Sequence, residues 1–261
     1  MKNIFTFYIL LLLGFFLNAQ NLKSPDNNLD LNFSIDEKGR AFYSLNFHDK
    51  PVILNSGLGF MLKDNVEWMK IDTLDMMNNF KILNVTFDSV DEYWNPVWGE
   101  ESKIRNNYNE MFVELQQIES ERKVNIRFRL FDDSLGFRYE FPLQEKLGSF
   151  IIIDEKTEFA MAGDHTAMWI PGDYDTQEYN YTTSKLSEIE QKSIEFKEEN
   201  VSMYRFSNWA VQTALMMKSQ NGLYINIHEA ALIEYSTMHL EFNPVNMTFE
   251  SHLTPDAYGN M

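Results

Sequence analysis

The clearest structural signal in the chain lies at residues 124–141, which read VNIRFRLFDDSLGFRYEF. Up to Leu130 every second side chain is apolar and those between are polar, which is the two-residue period of a strand buried on one face. Turn-forming residues at 132–136 then lead into a second alternating run, which Pro142 ends. The segment therefore predicts an antiparallel hairpin.

The same alternation recurs on both sides of this segment. Residues 29–35 and 41–47 predict a second hairpin, and residues 211–217 and 223–227 predict a third across the Asn221-Gly222 turn. Further strands are predicted at residues 52–54, 82–87, 110–115, 150–153, 232–242 and 247–253.

Helical patterns are scarce. Residues 185–200 carry apolar side chains only loosely at helical spacing, so a short surface helix and a long loop both fit. Many closely spaced strands with few helices predict an all-β fold, a large antiparallel sandwich. Because no linker or repeat divides residues 20–261, we expect one domain there.

The first residues have the composition of a secretory signal peptide. A lysine at position 2 precedes an apolar run at 4–17, and Asn18-Ala19-Gln20 follows. We predict a signal peptide at 1–19 and export of the protein, with a retained membrane anchor as the alternative. The chain contains no cysteine, which excludes a lipid anchor on cysteine and leaves the exported domain to be stabilised by its core alone.

Composition excludes several classes of function. The formal net charge of −17 repels phosphate backbones and anionic membrane surfaces, so we expect no nucleic-acid binding. As a separate expectation, no membrane span remains after cleavage of the signal peptide. Cysteine chemistry is impossible, and no phosphate-binding glycine loop, serine nucleophile elbow or zinc-binding His-Glu-x-x-His helix is present in the sequence. We interpret His228, His239 and His252 as structural residues.

An acidic loop is predicted at residues 169–179, which read WIPGDYDTQEY. Asp173, Asp175 and Glu178 lie between aromatic residues, and carboxylates are the natural ligands of Ca²⁺. The spacing is not that of a twelve-residue helix–loop–helix calcium loop. From composition alone, a solvated acidic loop remains the favoured interpretation.

A second cluster occupies residues 93–101, which read YWNPVWGEE. Flat aromatic faces beside carboxylates can bind sugars by stacking and hydrogen bonding. The alternative, which the spacing favours, is that Trp94 and Trp98 anchor a proline-containing turn in the core or at its rim.

These segments resemble the N-terminal domain of glycoside hydrolase family 97, above all its Bacteroides-type α-glucosidases of starch utilisation. The resemblance begins just after the predicted signal peptide and covers essentially the whole mature chain, in order. The runs that carry it lie at 22–28 (LKSPDNN), 96–101 (PVWGEE), 104–106 (IRN), 108–110 (YNE), 126–131 (IRFRLF), 135–142 (LGFRYEFP), 169–179 (WIPGDYDTQEY), 212–218 (QTALMMK) and 228–232 (HEAAL).

The resemblance implies a galactose-mutarotase-like β-super-sandwich followed by a catalytic (β/α)8 barrel and a small C-terminal β-domain. It further implies that Glu178 is one ligand of an active-site Ca²⁺, and that the catalytic acid and base are glutamates of the barrel. We therefore expect this sequence to be part of a longer protein, to contain no catalytic residue and to be inactive alone. The resemblance assigns no substrate-binding residue in this sequence.

The implied partners are an α-glucan or α-glucoside oligosaccharide and the protein's own barrel domain, and the implied location is the periplasm or outer surface. The family also contains retaining α-galactosidases, which remain an alternative within it. A stand-alone, non-catalytic carbohydrate-binding sandwich is the alternative from another class.

Overall fold

A computed structural model describes residues 19–64, 73–195 and 204–256. Within these ranges the regular structure is almost entirely β, and α1 (Ile189–Glu195) with the 3-10 turn before it (Leu186–Glu188) is the helical part. The strands are β1 (Gln20–Lys23), β2 (Leu29–Ile35), β3 (Ala41–Phe47), β4 (Lys50–Leu58), β5 (Phe60–Asp64), β6 (Thr73–Met76), β7 (Phe80–Trp94), β8 (Ile104–Gln117), β9 (Lys123–Leu130), β10 (Leu135–Glu140), β11 (Phe150–Glu155), β12 (Glu158–Ala160), β13 (Thr166–Trp169), β14 (Thr182–Lys185), β15 (Ala210–Gln212), β16 (Leu215–Lys218), β17 (Tyr224–Ile227), β18 (Met238–Asn243) and β19 (Thr248–Leu253).

All strand pairings among the described residues are antiparallel. The sheets have the orders β1-β2-β3-β4, β10-β9-β8-β7, β11-β5-β6, β12-β19-β18-β15 and β14-β13-β16-β17. The predicted all-β, antiparallel fold is thereby confirmed. The predicted signal peptide falls almost wholly on residues 1–18, which lie outside the described residues. In the part of the chain that the structure describes, no helix has the length and apolar character needed to cross a membrane.

Two of the three predicted hairpins form as expected. In the first, Phe128 pairs with Phe137 across β9 and β10, and in the second Phe33 pairs with Tyr43 across β2 and β3. Both registers place the apolar side chains on one face, as the alternation requires.

The third hairpin was predicted with one strand too long. β16 and β17 pair around the Asn221-Gly222 turn, but Val211 and Gln212 belong to β15, which pairs with β18 in another sheet. The chain changes sheets at residues 213–214, and the apolar pattern does not reveal this because both sheets bury the same kind of side chain.

The strand predicted at 232–242 is also too long, since β18 begins only at Met238. The residues before it form a loop that side-chain bonds hold in place. The backbone N–H of Met238 donates to the Glu229 carboxylate at 3.0 Å, and the Tyr235 hydroxyl donates to Glu155 at 2.6 Å. These tertiary contacts override the strand propensity of the segment.

Aromatic rings join the sheets into one hydrophobic core. Phe128 of β9 contacts Phe33 of β2 with ring centroids 5.8 Å apart, and Tyr139 of β10 contacts Phe60 of β5 at 4.5 Å. The buried apolar cluster extends from these rings to Trp169 of β13 and includes members of all five sheets. Burial of large aromatic side chains therefore stabilises the protein, which has no cysteine for a disulfide.

Candidate functional site

The acidic loop connects β13 to β14 and is held against β15 at its start. The N–H of Gly172 donates to the carbonyl of Ala210 at 2.8 Å. A Cβ at Gly172 would lie 2.5 Å from the Ala210 Cβ, so this approach of two backbones requires glycine. The loop therefore starts from a fixed position on the core.

Asp173 organises the interior of the loop. The residue is only 3% exposed. Oδ1 accepts the N–H groups of Asp175 at 2.8 Å and Thr176 at 3.2 Å. Oδ2 accepts the Tyr179 hydroxyl at 2.7 Å and the Tyr204 N–H at 2.7 Å. Four donors satisfy this buried carboxylate, and its charge makes each of these bonds stronger than a neutral one.

Two residues of neighbouring strands donate hydrogen bonds to backbone carbonyls of the loop. His239 Nε2 donates to the Asp173 carbonyl at 2.9 Å, and Gln212 Nε2 donates to the Thr176 carbonyl at 2.7 Å. Burial lowers the pKa of His239, so the ring stays neutral at pH 7. His239 and Gln212 are paired opposite each other on β18 and β15, so their two hydrogen bonds fix the position of the loop relative to this sheet.

Tyr174 links the loop to an aromatic stack. Its ring lies parallel to Phe206 at a centroid distance of 4.8 Å, and its hydroxyl is hydrogen-bonded to His252 Nε2. Phe206 in turn stacks on His252 at 4.0 Å. Burial raises the pKa of Tyr174 and lowers that of His252, which favours a neutral pair in which the hydroxyl donates.

Glu178 has the opposite environment from Asp173. The residue is exposed, its N–H donates to Thr176 Oγ1 at 3.0 Å, and no side-chain bond to its carboxylate occurs among the described residues. The loop thus presents the carboxylate of Glu178 to solvent, beside that of Asp175, which is also exposed. No cluster of three or more His, Asp or Glu suited to a metal occurs in the described ranges, so Glu178 could serve a cation only as one ligand among others.

The aromatic cluster at 93–101 is not in the core. Trp94 ends β7 at 50% exposure, and Trp98 is 90% exposed. Of the interpretation that Trp94 and Trp98 anchor the turn in the core or at its rim, the place in the core is wrong, because both side chains lie at the exposed end of the β7–β8 hairpin.

The sequence singled out Asp173, Asp175 and Glu178, but it did not identify the residues that shape their loop. Tyr204, Gln212 and His239 come from distant parts of the chain, and only the sheet topology brings them together. Of the three histidines interpreted as structural, His239 and His252 make the contacts described above. His228 lies exposed just beyond β17, with Nδ1 3.1 Å from the carbonyl oxygen of Glu229.

Residues 22–256 match a family model described as the N-terminal domain of glycosyl hydrolase 97. The chain belongs to glycoside hydrolase family 97. The match includes both the acidic loop and the β7–β8 hairpin, so these two features are part of the family 97 domain.

Solved structures agree with this assignment. A family 97 enzyme from Pseudoalteromonas sp. strain K8, in complex with acarbose, is 32% identical with a TM-score of 0.77, and the match covers 92% of this chain and 33% of that one. The same values hold for a complex of that enzyme with panose. A β-arabinopyranosidase has the same fold at 18% identity and a TM-score of 0.71, over 89% of this chain and 35% of that chain. The family 97 domain described here therefore spans about a third of the length of these relatives.

Proposed function

We propose that this domain supplies Glu178 as one ligand of a Ca²⁺ ion in the active site of an exported α-glucoside hydrolase acting on starch-type oligosaccharides. The observation that carries the proposal is the contrast between two carboxylates of one loop. Asp173 is saturated by four donors, whereas Glu178 is exposed and unpaired among the described residues. The loop also matches the run that bears the calcium ligand in the α-glucosidases the chain resembles.

Glu178 fits the chemistry of such a site. Ca²⁺ prefers six to eight oxygen ligands and readily accepts a carboxylate. Bound Ca²⁺ would position and polarise the substrate or a water molecule. In this proposal the domain has two roles. It holds the Glu178 carboxylate at a fixed place through the loop contacts of Asp173, Gln212 and His239, and it packs on the barrel that carries the remaining ligands.

The acid and base belong to the barrel in this proposal. An inverting glycosidase needs two carboxyl groups ~6.5–9.5 Å apart, one to protonate the leaving oxygen and one to activate water. Glu178 performs neither role. A retaining α-galactosidase, with a carboxylate nucleophile, is the alternative within the family, and the complexes of the Pseudoalteromonas enzyme with acarbose and panose favour the α-glucosidase.

Two further features complete the proposal. The signal sequence at residues 1–19 would direct the protein to the periplasm, where starch-derived oligosaccharides arrive. The five sheets would form a galactose-mutarotase-like super-sandwich that serves as a platform for the barrel.

A stand-alone carbohydrate-binding module is the second candidate, and the exposed Trp94 and Trp98 favour it. The two functions differ in one assay with a chromogenic α-glucoside. The product of the complete open reading frame should hydrolyse it, whereas purified residues 20–261 should give no turnover above the buffer blank, since one carboxylate cannot act as both acid and base. Turnover by residues 20–261 alone, or none by the complete product, would contradict the proposal.

A further inference from the structure

A groove with a volume of about 610 Å³ lies between two hairpin turns. One turn joins β3 to β4 at residues 47–51, and the other joins β16 to β17 at residues 219–223. Ala162, Gly163 and His165, which lie between β12 and β13, also line the groove. Its volume falls within the range of ~300–1,000 Å³ that is usual for small-molecule sites.

The groove is separate from the acidic loop. His165 comes immediately before β13, whereas the acidic loop follows Trp169, the last residue of that strand. The His165 carbonyl accepts the N–H of Leu186 at 3.1 Å, which joins the segments that flank β13 and β14 at the end away from the loop. The groove and Glu178 therefore lie at opposite ends of one strand.

His165 has an unusual environment for a buried polar residue. It is only 5% exposed, and neither ring nitrogen has a hydrogen-bond partner among the described residues. Burial, followed by the positive charge of Lys185, lowers the pKa of His165, so the ring is neutral at pH 7 and carries one N–H donor and one acceptor nitrogen. A buried polar group without a partner is destabilising, and a ligand that supplies the missing hydrogen bond would remove this cost.

One edge of the His165 ring faces a glycine of the groove. A Cβ at Gly163 would lie 3.7 Å from Cε1 and 3.9 Å from Nδ1 of His165. The absence of a side chain at Gly163 thus leaves space over the ring edge that carries Nδ1. Because Nδ1 itself lies just below the surface, a small turn of the ring about its Cβ–Cγ bond, a torsion with a broad range in histidine, would present it to a ligand.

The rest of the groove suits a neutral ligand that carries hydroxyl groups. Ser219, Gln220 and Asn221 contribute hydroxyl and amide groups, which can both donate and accept hydrogen bonds. Leu223 and Ile225 contribute apolar surface beside them. The turn is ordered in advance, because the Ser219 hydroxyl donates to Asn221 and accepts the Leu223 N–H. Polar and apolar groups side by side match a sugar ring, which has hydroxyl groups around its C–H faces.

We propose that this groove is a second oligosaccharide site, in which His165 forms a hydrogen bond with a sugar hydroxyl. The proposal goes beyond the proposed function and does not depend on Glu178. Among the described residues that line the groove there is no Asp or Glu, so the two carboxyl groups that usually hydrolyse a glycosidic bond are not present there. The groove would therefore hold the sugar without cleaving it.

Other ligands fit the groove less well. An anion can only accept hydrogen bonds, and the net charge of −17 opposes its approach even though Lys50 lines the groove. A metal ion would need several ligands, and the described ranges contain no group of three or more His, Asp or Glu that could hold one. A hydroxyl group both donates and accepts, so it can pair with either tautomer of the neutral His165 ring.

The test measures hydrogen exchange in the complete polypeptide with and without acarbose as the probe. At about 10 mM acarbose, exchange of the amides at 219–223 should slow at least about threefold. His165→Phe, which keeps a ring but removes both nitrogens, should abolish this slowing. Gly163→Leu, whose side chain would fill the space over the ring, should abolish it as well. The matched control Gly148→Leu adds the same side chain at a glycine where a Cβ meets nothing within 4 Å, and it should leave the slowing unchanged.

The position of the slowing decides the proposal. No slowing at 219–223, or slowing confined to 93–101 or 169–179, would overturn it. Slowing that persists in Gly163→Leu or in a folded His165→Phe would also overturn it, and Gly163→Leu decides alone if His165→Phe does not fold. Slowing by about 10 mM inorganic phosphate but not by acarbose would make the groove an anion site, which contradicts the proposal. Slowing at 219–223 in a polypeptide without α-glucosidase activity would support the second site while contradicting the proposed function.

Discussion

The Tyr179 hydroxyl donates to Oδ2 of Asp173 at 2.7 Å, and both residues are buried. The bond closes the acidic loop on itself, so that Glu178, immediately before Tyr179, is held at the surface by a buried neighbour. Burial, followed by the bond to Asp173, raises the pKa of Tyr179, which keeps the hydroxyl protonated as a donor at neutral pH.

Asp173 should be far more important for stability than Glu178. Asp173→Asn replaces one acceptor oxygen with an NH₂ group that faces buried donors, and we expect it to lower the free energy of unfolding by about 2–4 kcal/mol. Glu178→Gln should change it by less than about 0.5 kcal/mol, because the residue is exposed. Urea unfolding of residues 20–261 measures both. Equal effects of the two substitutions would contradict the roles assigned to them.

Gly172 tests the contact that positions the start of the loop. In Gly172→Ala the new methyl group would lie 2.5 Å from the Ala210 Cβ, and we expect a loss of about 1–3 kcal/mol from overpacking. Gly148→Ala is the control, because a Cβ there meets nothing within 4 Å. Thermal unfolding of both variants should show a lower midpoint for Gly172→Ala alone. An unchanged midpoint would mean that the loop and β15 separate easily.

Much of the fold could be predicted from sequence because the alternation of apolar residues is local. The hairpins at 29–47 and 124–141 follow from it directly. The break between Val211 and Leu215 could not be predicted, since two sheets bury equally apolar strands there. The exposure of Trp98 could not be predicted either, because composition does not show how far a hairpin extends beyond its sheet.

The candidate site, too, could be predicted only in part from the sequence. The acidic loop was identified from its composition and its resemblance to known enzymes. The difference between the buried, hydrogen-bonded Asp173 and the exposed Glu178 depends on Tyr204. The Tyr204 N–H donates to Asp173, although the two residues are 31 positions apart in sequence. No local pattern predicts a contact of that kind.

Glu155 should make stability depend on pH in an identifiable way. Its carboxylate accepts the Thr157 and Tyr235 hydroxyls, each at 2.6 Å, and burial raises its pKa. The folded protein therefore holds this proton more tightly than the unfolded chain does. The contribution of Glu155 to stability should accordingly be greatest below the ordinary glutamate pKa and should fall as the pH rises through the raised one.

Glu155→Gln removes this titration and serves as the comparison. As the pH rises from 5.5 to 8, we expect the unfolding free energy of the unmodified protein to fall relative to that of Glu155→Gln. Urea unfolding across this range measures the difference and stays above the isoelectric point near 4.6. A difference that does not depend on pH would show that Glu155 titrates normally in the folded protein.

The Ca²⁺ dependence of α-glucosidase activity in the complete polypeptide tests the role of Glu178 most directly. Glu178→Gln keeps the size of the side chain but removes its charge. It should raise the Ca²⁺ concentration needed for half-maximal rate at least tenfold, and excess Ca²⁺ should restore part of the rate by mass action. Asp175→Asn, which removes the same charge from an exposed residue of the same loop, should leave this concentration unchanged. Full activity of Glu178→Gln at a chelator-defined low Ca²⁺ level, or greater calcium sensitivity in Asp175→Asn, would contradict the assignment.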